Sequence, residues 1–417
     1  MIVTSSDRPA MTAAGGGARA VERCRLLARP PYSDAPDALW RAYLTPAHTA
    51  TSAKIAEWMG EAGMTVRTDP AGNVIGRLGE GPILLIGSHI DSVRDGGAFD
   101  GPLGVMLGIE CAAALRDTDL PFAIEVIAFG DEEGSRFPAS MLTSRAVAGA
   151  LDDAALDIVD GAGVALSAAL AEAGLAREHF LSAAYAPGSV LAYFEAHIEQ
   201  GPVLEAEGLP LGVVTAIAGQ KRFAVSVSGT PGHAGTSSMS LRRDALTAAA
   251  EMVLAVERTA RAGPDDLVAT VGKLAVAPGA TNVVPGRVDF TIDVRAGDDA
   301  VRDAAAGDIA DAIAEIAKAR GVDFAIELTQ VLPASPCDPA LVDRLAAAVA
   351  TTGQPPRRLV SGAGHDAMVM AALAPTAMLF IRCTGGISHN PAEDVIAGDV
   401  DRALRAMLAF IESLDDV

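Results

Sequence analysis

Short apolar runs that stop abruptly at polar residues recur along this chain. Residues 83–86 (Ile-Leu-Leu-Ile) make an all-apolar run of the buried-strand type that leads to His89, and residues 122–129 make a second that leads to Asp131. Between them, residues 102–115 space their apolar side chains as a helix does, and so do residues 51–62 upstream. Strand, helix, strand, with polar residues collected where strands end, predicts an open α/β sheet. Such sheets hold ligands at the carboxyl ends of their strands. His89 and Asp91 stand two apart at a strand end, so both side chains are predicted on one face.

From residue 213 to 330 the pattern changes. Strand-type runs at 223–228, 267–276, 288–295 and 322–328 alternate with helical stretches at 241–261 and 300–319. That order, β-α-β-β-α-β, predicts a ferredoxin-like α+β unit. It reads as an insertion, because strand signals resume at 359–360 and 376–381 before a helix over 400–414. The expected organisation is a flexible tail over 1–20, a catalytic domain from 21–212 and 331–417, and the insert over 213–330. The tail is polar and rich in small residues without an apolar signal core, and Met11 offers a second start.

At 417 residues the chain exceeds one ordinary core, which agrees with two domains. Half of it is hydrophobic and a fifth charged, as in a well-packed soluble protein. No apolar stretch reaches membrane-spanning length, so no membrane partner is expected. The formal charge of -21 leaves no basic stripe for phosphates and argues against nucleic acid. A small anionic substrate stays open, since metals or arginines set the field inside a cleft. Cys24, Cys111, Cys337 and Cys383 are scattered without CxxC spacing, so a reducing cytoplasm is expected.

The polar interruptions form five cassettes: Gly87-Ser88-His89-Ile90-Asp91, Phe99-Asp100-Gly101, Asp131-Glu132-Glu133-Gly134, residues 195–201 around His197, and residues 386–391 around His389. Three of the seven histidines lie in them, beside carboxylates, and imidazole and carboxylate are the ligands zinc and manganese accept. A two-metal site needs a bridging ligand and terminal ligands on each side. Asp100, in a tight turn before a helix, suits the bridge. His89 and His197 suit terminal positions, with Glu133 and His389 completing the set. Asp91 suits orientation of His89 through its other ring nitrogen, and Glu132 is free to take a proton from a water held there. Singly, each cassette reads more simply as a structural histidine or a solvated acidic loop; their co-occurrence at successive strand ends reverses that reading. His48 and His179, without a partner motif, read as surface residues. Farther on, His233 stands among glycines, where backbone can approach a ligand. Asn282 and Arg295 could hold a carboxylate, although a plain ion pair of Arg295 with Asp293 or Asp298 is the simpler reading of those residues alone.

These cassettes, in this order, resemble the hydantoinase/carbamoylase group of metal-dependent amidohydrolases in the zinc aminopeptidase-like superfamily. The resemblance runs from about residue 42 onward and rests on GSHIDSV, GGAFDGPLGV, DEEGSRF, HIEQGPVLE, GHAGT, SGAGHDAM and GISHNPAE. It implies an aminopeptidase-like mixed-sheet catalytic domain with an inserted lid and dimerisation domain. It also implies two divalent ions per subunit, Mn2+ or Zn2+ with Co2+ or Ni2+ as alternatives. By motif match, His89, Asp100, Glu133, His197 and His389 are the ligands, with Asp100 bridging and Glu132 the general base. Gln200, His233, Asn282, Arg295 and the backbone at Gly364 match substrate contacts, and His233 is expected to reach the partner subunit's site in a homodimer.

The resemblance further implies hydrolysis of a ureido group on a small anionic substrate. Residues 217–223, which include Gly219-Gln220-Lys221-Arg222, look like the allantoate-hydrolysing branch, as do residues 281–286 and 361–367. N-carbamoyl-L-amino acids and 3-ureidopropionate are the alternatives on the same site. Thr236-Ser237-Ser238-Met239 and Pro102 depart from the usual pattern and bear on substrate preference. An acylase- or peptidase-like enzyme and a non-catalytic binding relative are the rival classes.

Overall fold

The computed structural model describes residues 15–414, so Met11 and most of the expected tail lie outside the described residues. The rest of that tail is not loose. Gly16–Leu27 is a helix, with Gly16, Gly17 and Ala20 buried. The small residues that suggested flexibility are what permit close approach: a Cβ on Gly17 would stand 2.4 Å from the Asp401 nitrogen. The Gly17 amide instead donates to Asp401 Oδ1 at 2.8 Å.

The described residues divide into two compact units. One holds the chain up to Thr215, Cys337–Leu359 and the residues from His365 onward; the other holds Ala216–Pro336 and Val360–Gly364. The expected insert, 213–330, omits 331–336 and 360–364, which cluster with the second unit.

Seven strands of a nine-stranded sheet lie side by side in the order Thr65–Thr68, Val74–Leu78, Ala123–Phe129, Ile83–His89, Val190–Ile198, Thr376–Ile381 and Leu211–Ile217, and Arg357–Ser361 also pairs with the last of these. The four from Ala123–Phe129 to Thr376–Ile381 pair in parallel, and the flanking pairs are antiparallel. The sheet is therefore mixed. Every residue of Ile83–His89 and Ala123–Phe129 is buried, which is why those runs are apolar without alternation. Pro102–Leu115 is a helix buried almost all round, and Pro102 occupies its first turn, where a missing N–H costs nothing. Because the four central strands are parallel, their carboxyl ends share one edge of the sheet.

The second unit is an antiparallel sheet in the order Leu274–Ala277, Arg287–Ala296, Gly219–Ser228 and Asp323–Leu332, with Val268–Thr270 also on Arg287–Ala296. Helices Ala245–Ala262 and Asp299–Arg320 are capped by Asp244 and Asp298. They share one apolar core with Val225, Val227, Val288, Phe290, Ile292 and Val294 of the strands. The single strand expected over 267–276 is two strands: Val271-Gly272-Lys273 interrupts it, glycine offering no side chain to pack there.

Candidate metal centre

Parallel strand ends deliver the polar residues of the first unit. His89 closes Ile83–His89, His197 is next to last in Val190–Ile198, Glu132 and Glu133 follow Ala123–Phe129, and His389 follows Thr376–Ile381. Asp100 comes from the turn that starts Pro102–Leu115. That turn sits against His89 only because residue 101 is glycine: its φ is +85°, and a Cβ there would lie 2.5 Å from the His89 carbonyl oxygen and 2.6 Å from its ring.

Asp91 is fully buried and joins two cassettes. Its Oδ1 lies 3.3 Å from His89 Nδ1. Its two oxygens also accept the amides of Glu132 at 3.0 Å and Glu133 at 3.1 Å. Asp100 is the other hub. Its Oδ1 faces His197 Nε2 at 3.3 Å, and its Oδ2 faces His389 Nε2 at 3.0 Å. His389 Nε2 is also 3.5 Å from Glu133 Oε1.

Donor atoms of His89, Asp100 and His197 fall within 4.8 Å of one another, and so do those of Asp100, Glu133 and His389. A third such group contains His89, Glu132 and Glu133. His197 tests whether a cation suits this cluster. Its Nδ1 lies 2.9 Å from the Ile198 carbonyl oxygen, which requires the proton on Nδ1. Nε2 is then a buried lone pair without a hydrogen-bond partner, directed at a carboxylate oxygen. Two lone pairs converging in a buried place fit a metal ion between them.

The electrostatics agree. Burial, opposed by His89 and reinforced by Asp366, Glu133 and Asp91, holds the Glu132 carboxyl well above the usual range. Burial, again opposed by His89, lifts Glu133 to about 7. Burial lowers His197 to about 4, keeping it neutral as a ligand must be. A divalent cation among these oxygens would relieve their mutual repulsion and lower the carboxyl pKa values.

The remaining expected residues are placed as follows. Gln200 donates its amide to Asp100 Oδ1 at 2.9 Å and to Ser388 at 3.2 Å, so it braces the hub. In the second unit, His233 and Asn282 come together, since Gly232–His233 pairs with Val283–Val284. The exposed His233 ring accepts the Gly235 amide on Nδ1 at 3.0 Å, which leaves the proton on Nε2. Arg295 forms the ion pair with Asp293 that the residues alone suggested, at 2.9 Å, and also donates to the Gly362 carbonyl at 2.7 Å, two residues before Gly364. It lines a cavity of about 500 Å³ with Arg222, Thr270, Thr291 and Asp293. His179 is exposed, as expected, but His48 is not: it is 2% exposed, with Nε2 3.1 Å from the Gly130 carbonyl oxygen. The helix Pro46–Glu61 turns that face inward, and burial lowers its pKa to about 4.

Glu195, Asp366 and Glu393 are among the buried acids to which the sequence reading assigned no role. Glu195 accepts from Ser88 at 3.2 Å, Tyr193 at 3.1 Å and the Ala367 amide at 2.9 Å. Two residues before His197 on one strand, it shares that candidate ligand's face, a signal the period of two carries. Asp366 is fully buried and Glu393 is 5% exposed; both lie in the SGAGHDAM and GISHNPAE motifs, to whose acids the sequence reading gave no role.

Buried histidines and carboxylates at the ends of parallel strands define an α/β protein of the metallohydrolase kind. Residues 85–413 match the model for Peptidase family M20/M25/M40, and the chain belongs to that family. It is 41% identical over 417 residues to an allantoate deiminase of Arabidopsis thaliana, covering 91% of this chain and 79% of that one. It is 44% identical over 345 residues to an N-carbamoyl-L-amino acid amidohydrolase of Geobacillus stearothermophilus, covering 81% and 84%. A solved hydantoinase/carbamoylase family amidase from Burkholderia multivorans superposes with a TM-score of 0.87 at 36% identity, covering 95% and 97%.

Proposed function

We propose that this protein is a dinuclear metal amidohydrolase that removes the carbamoyl group of allantoate, giving ureidoglycine, ammonia and carbon dioxide. The observation that carries the reading is Asp100, which belongs at once to a ligand group with His89 and His197 and to another with Glu133 and His389. With Oδ1 beside His197 and Oδ2 beside His389, Asp100 would serve both ions of a metal pair. Zinc and manganese both suit this donor set. When bound, such ions supply Lewis acidity toward the carbamoyl oxygen and acidify water toward neutrality.

The chain's own residues do the rest. Glu132 takes the proton of the attacking water and delivers it to the departing nitrogen as the C–N bond breaks. Asp91 orients His89 and holds the Glu132 and Glu133 backbone. His233, protonated on Nε2, offers a donor to the developing oxyanion, reaching a neighbouring subunit's site in a homodimer. Arg295 and Asn282 hold the substrate carboxylate. A cytoplasmic location agrees with four free, buried cysteines, and among the described residues no helix is long and apolar enough to cross a membrane.

The likeness to the Geobacillus enzyme supports a second reading, hydrolysis of N-carbamoyl-L-amino acids on the same site. Ammonia release by manganese-loaded protein, measured in parallel on allantoate, N-carbamoyl-L-amino acids and 3-ureidopropionate, separates the two. Turnover confined to allantoate is expected. Preference for a carbamoyl amino acid moves the protein to the second reading, and no ammonia from any of them rejects both.

A further inference from the structure

Glu393 is nearly solvent-free, yet it lies in a loop, where a carboxylate is ordinarily exposed. A short turn fixes it: the Glu393 amide donates to the Asn390 carbonyl at 3.0 Å, and the Ala392 amide to Asn390 Oδ1 at 2.9 Å. Its carboxylate then serves two segments. Oε1 accepts the consecutive amides of Phe99 at 2.8 Å and Asp100 at 3.1 Å. Oε2 accepts the Ser388 hydroxyl at 3.0 Å.

The same hydroxyl lies 3.4 Å from Asp100 Oδ2, the oxygen that faces His389. Residue 97 makes room for this arrangement. A Cβ on Gly97 would fall 2.2 Å from the Glu393 carboxyl carbon, so only glycine admits the carboxylate there.

We propose that Glu393 is a positioning residue that sets the separation of Asp100 and His389, and through it the affinity of the site for its metal. The proposal rests on the metal reading above. One carboxylate grips the backbone of the bridging residue and the neighbour of an exposed ligand, on segments far apart in sequence. Groups behind metal ligands commonly govern affinity in this way, and losing one costs about 10–100-fold. Hydrogen-bond geometry at a fixed reach is what the clamp requires. Glutamine preserves it, with its carbonyl toward the two amides and its NH2 toward the Ser388 oxygen. Aspartate, one methylene shorter, cannot span both segments.

The test titrates Mn2+ into metal-free wild type, E393Q, E393D, E393A and S388A against a chelating indicator, with thermal unfolding of each metal-free protein as the control for folding. Expected are losses of about 10–100-fold in affinity for E393A and E393D, recovery to within a few-fold for E393Q, and a smaller loss for S388A. Activity should fall in kcat with little change in KM. Wild-type affinity in E393A overturns the proposal, and so does an E393Q as weak as E393A. If E393A does not fold, the E393Q–E393D contrast and S388A decide by the same criteria. A wild-type protein that takes up no Mn2+ rejects the metal reading itself, which separates that failure from failure of the clamp.

Discussion

The two units hold their candidate functional residues in opposite ways. In the first, Asp91, Asp100, His89 and His197 are buried, and the carboxylates of Asp91 and Asp100 accept from amides or side chains of other segments. In the second, His233 and Asn282 are exposed on a pairing of two residues per strand, and Arg295 lies on the sheet face opposite the helices, tied to Asp293. The contrast matches the chemistry proposed for each. Positioning charges for bond cleavage demands fixed dipoles. Recognising a substrate tolerates groups that settle when it arrives.

Three experiments press on this contrast, beginning with the largest effect. Glu132→Gln should retain metal while lowering kcat by about a thousandfold or more, in the upper range for a lost proton-transfer group; loss of metal in this variant would instead make Glu132 a ligand, as its group with His89 and Glu133 permits. Arg295→Ala should raise KM about 10–100-fold with a modest change in kcat, the scale of one charge-assisted contact; an unchanged KM removes it from the carboxylate site. The smallest signal comes from mixing Glu132→Gln with His233→Ala subunits. In a symmetric dimer with a crossing histidine, free exchange should restore about a quarter of wild-type activity. Mixtures that stay inactive confine His233 to its own subunit or remove it from catalysis.

The convergence of the candidate ligands was legible because strong apolar periodicity marks the strands, and polar residues collect where strands stop. Residues 102–115 were bounded as the helix is found, since Pro102 and the spacing agree. What escaped depends on contacts between distant segments. Glu393 bonds to Phe99 across 294 residues, and nothing near it in sequence announces the partner. His48 escaped because polar neighbours disguise the buried face of its helix. The glycines at 16 and 17 misled for a related reason: small residues permit both a loose chain and the closest helix contact, and only the partner helix decides.

The parallel order of the central strands has a consequence for biosynthesis. The four strands whose ends carry the candidate ligands are drawn from the early, middle and late parts of the chain, and Thr376–Ile381 docks beside Val190–Ile198. A nascent chain released or stalled before that last strand would carry His89, Asp100, Glu133 and His197 but lack His389 and Glu393. The candidate centre is therefore complete only once the chain has been made through residue 393.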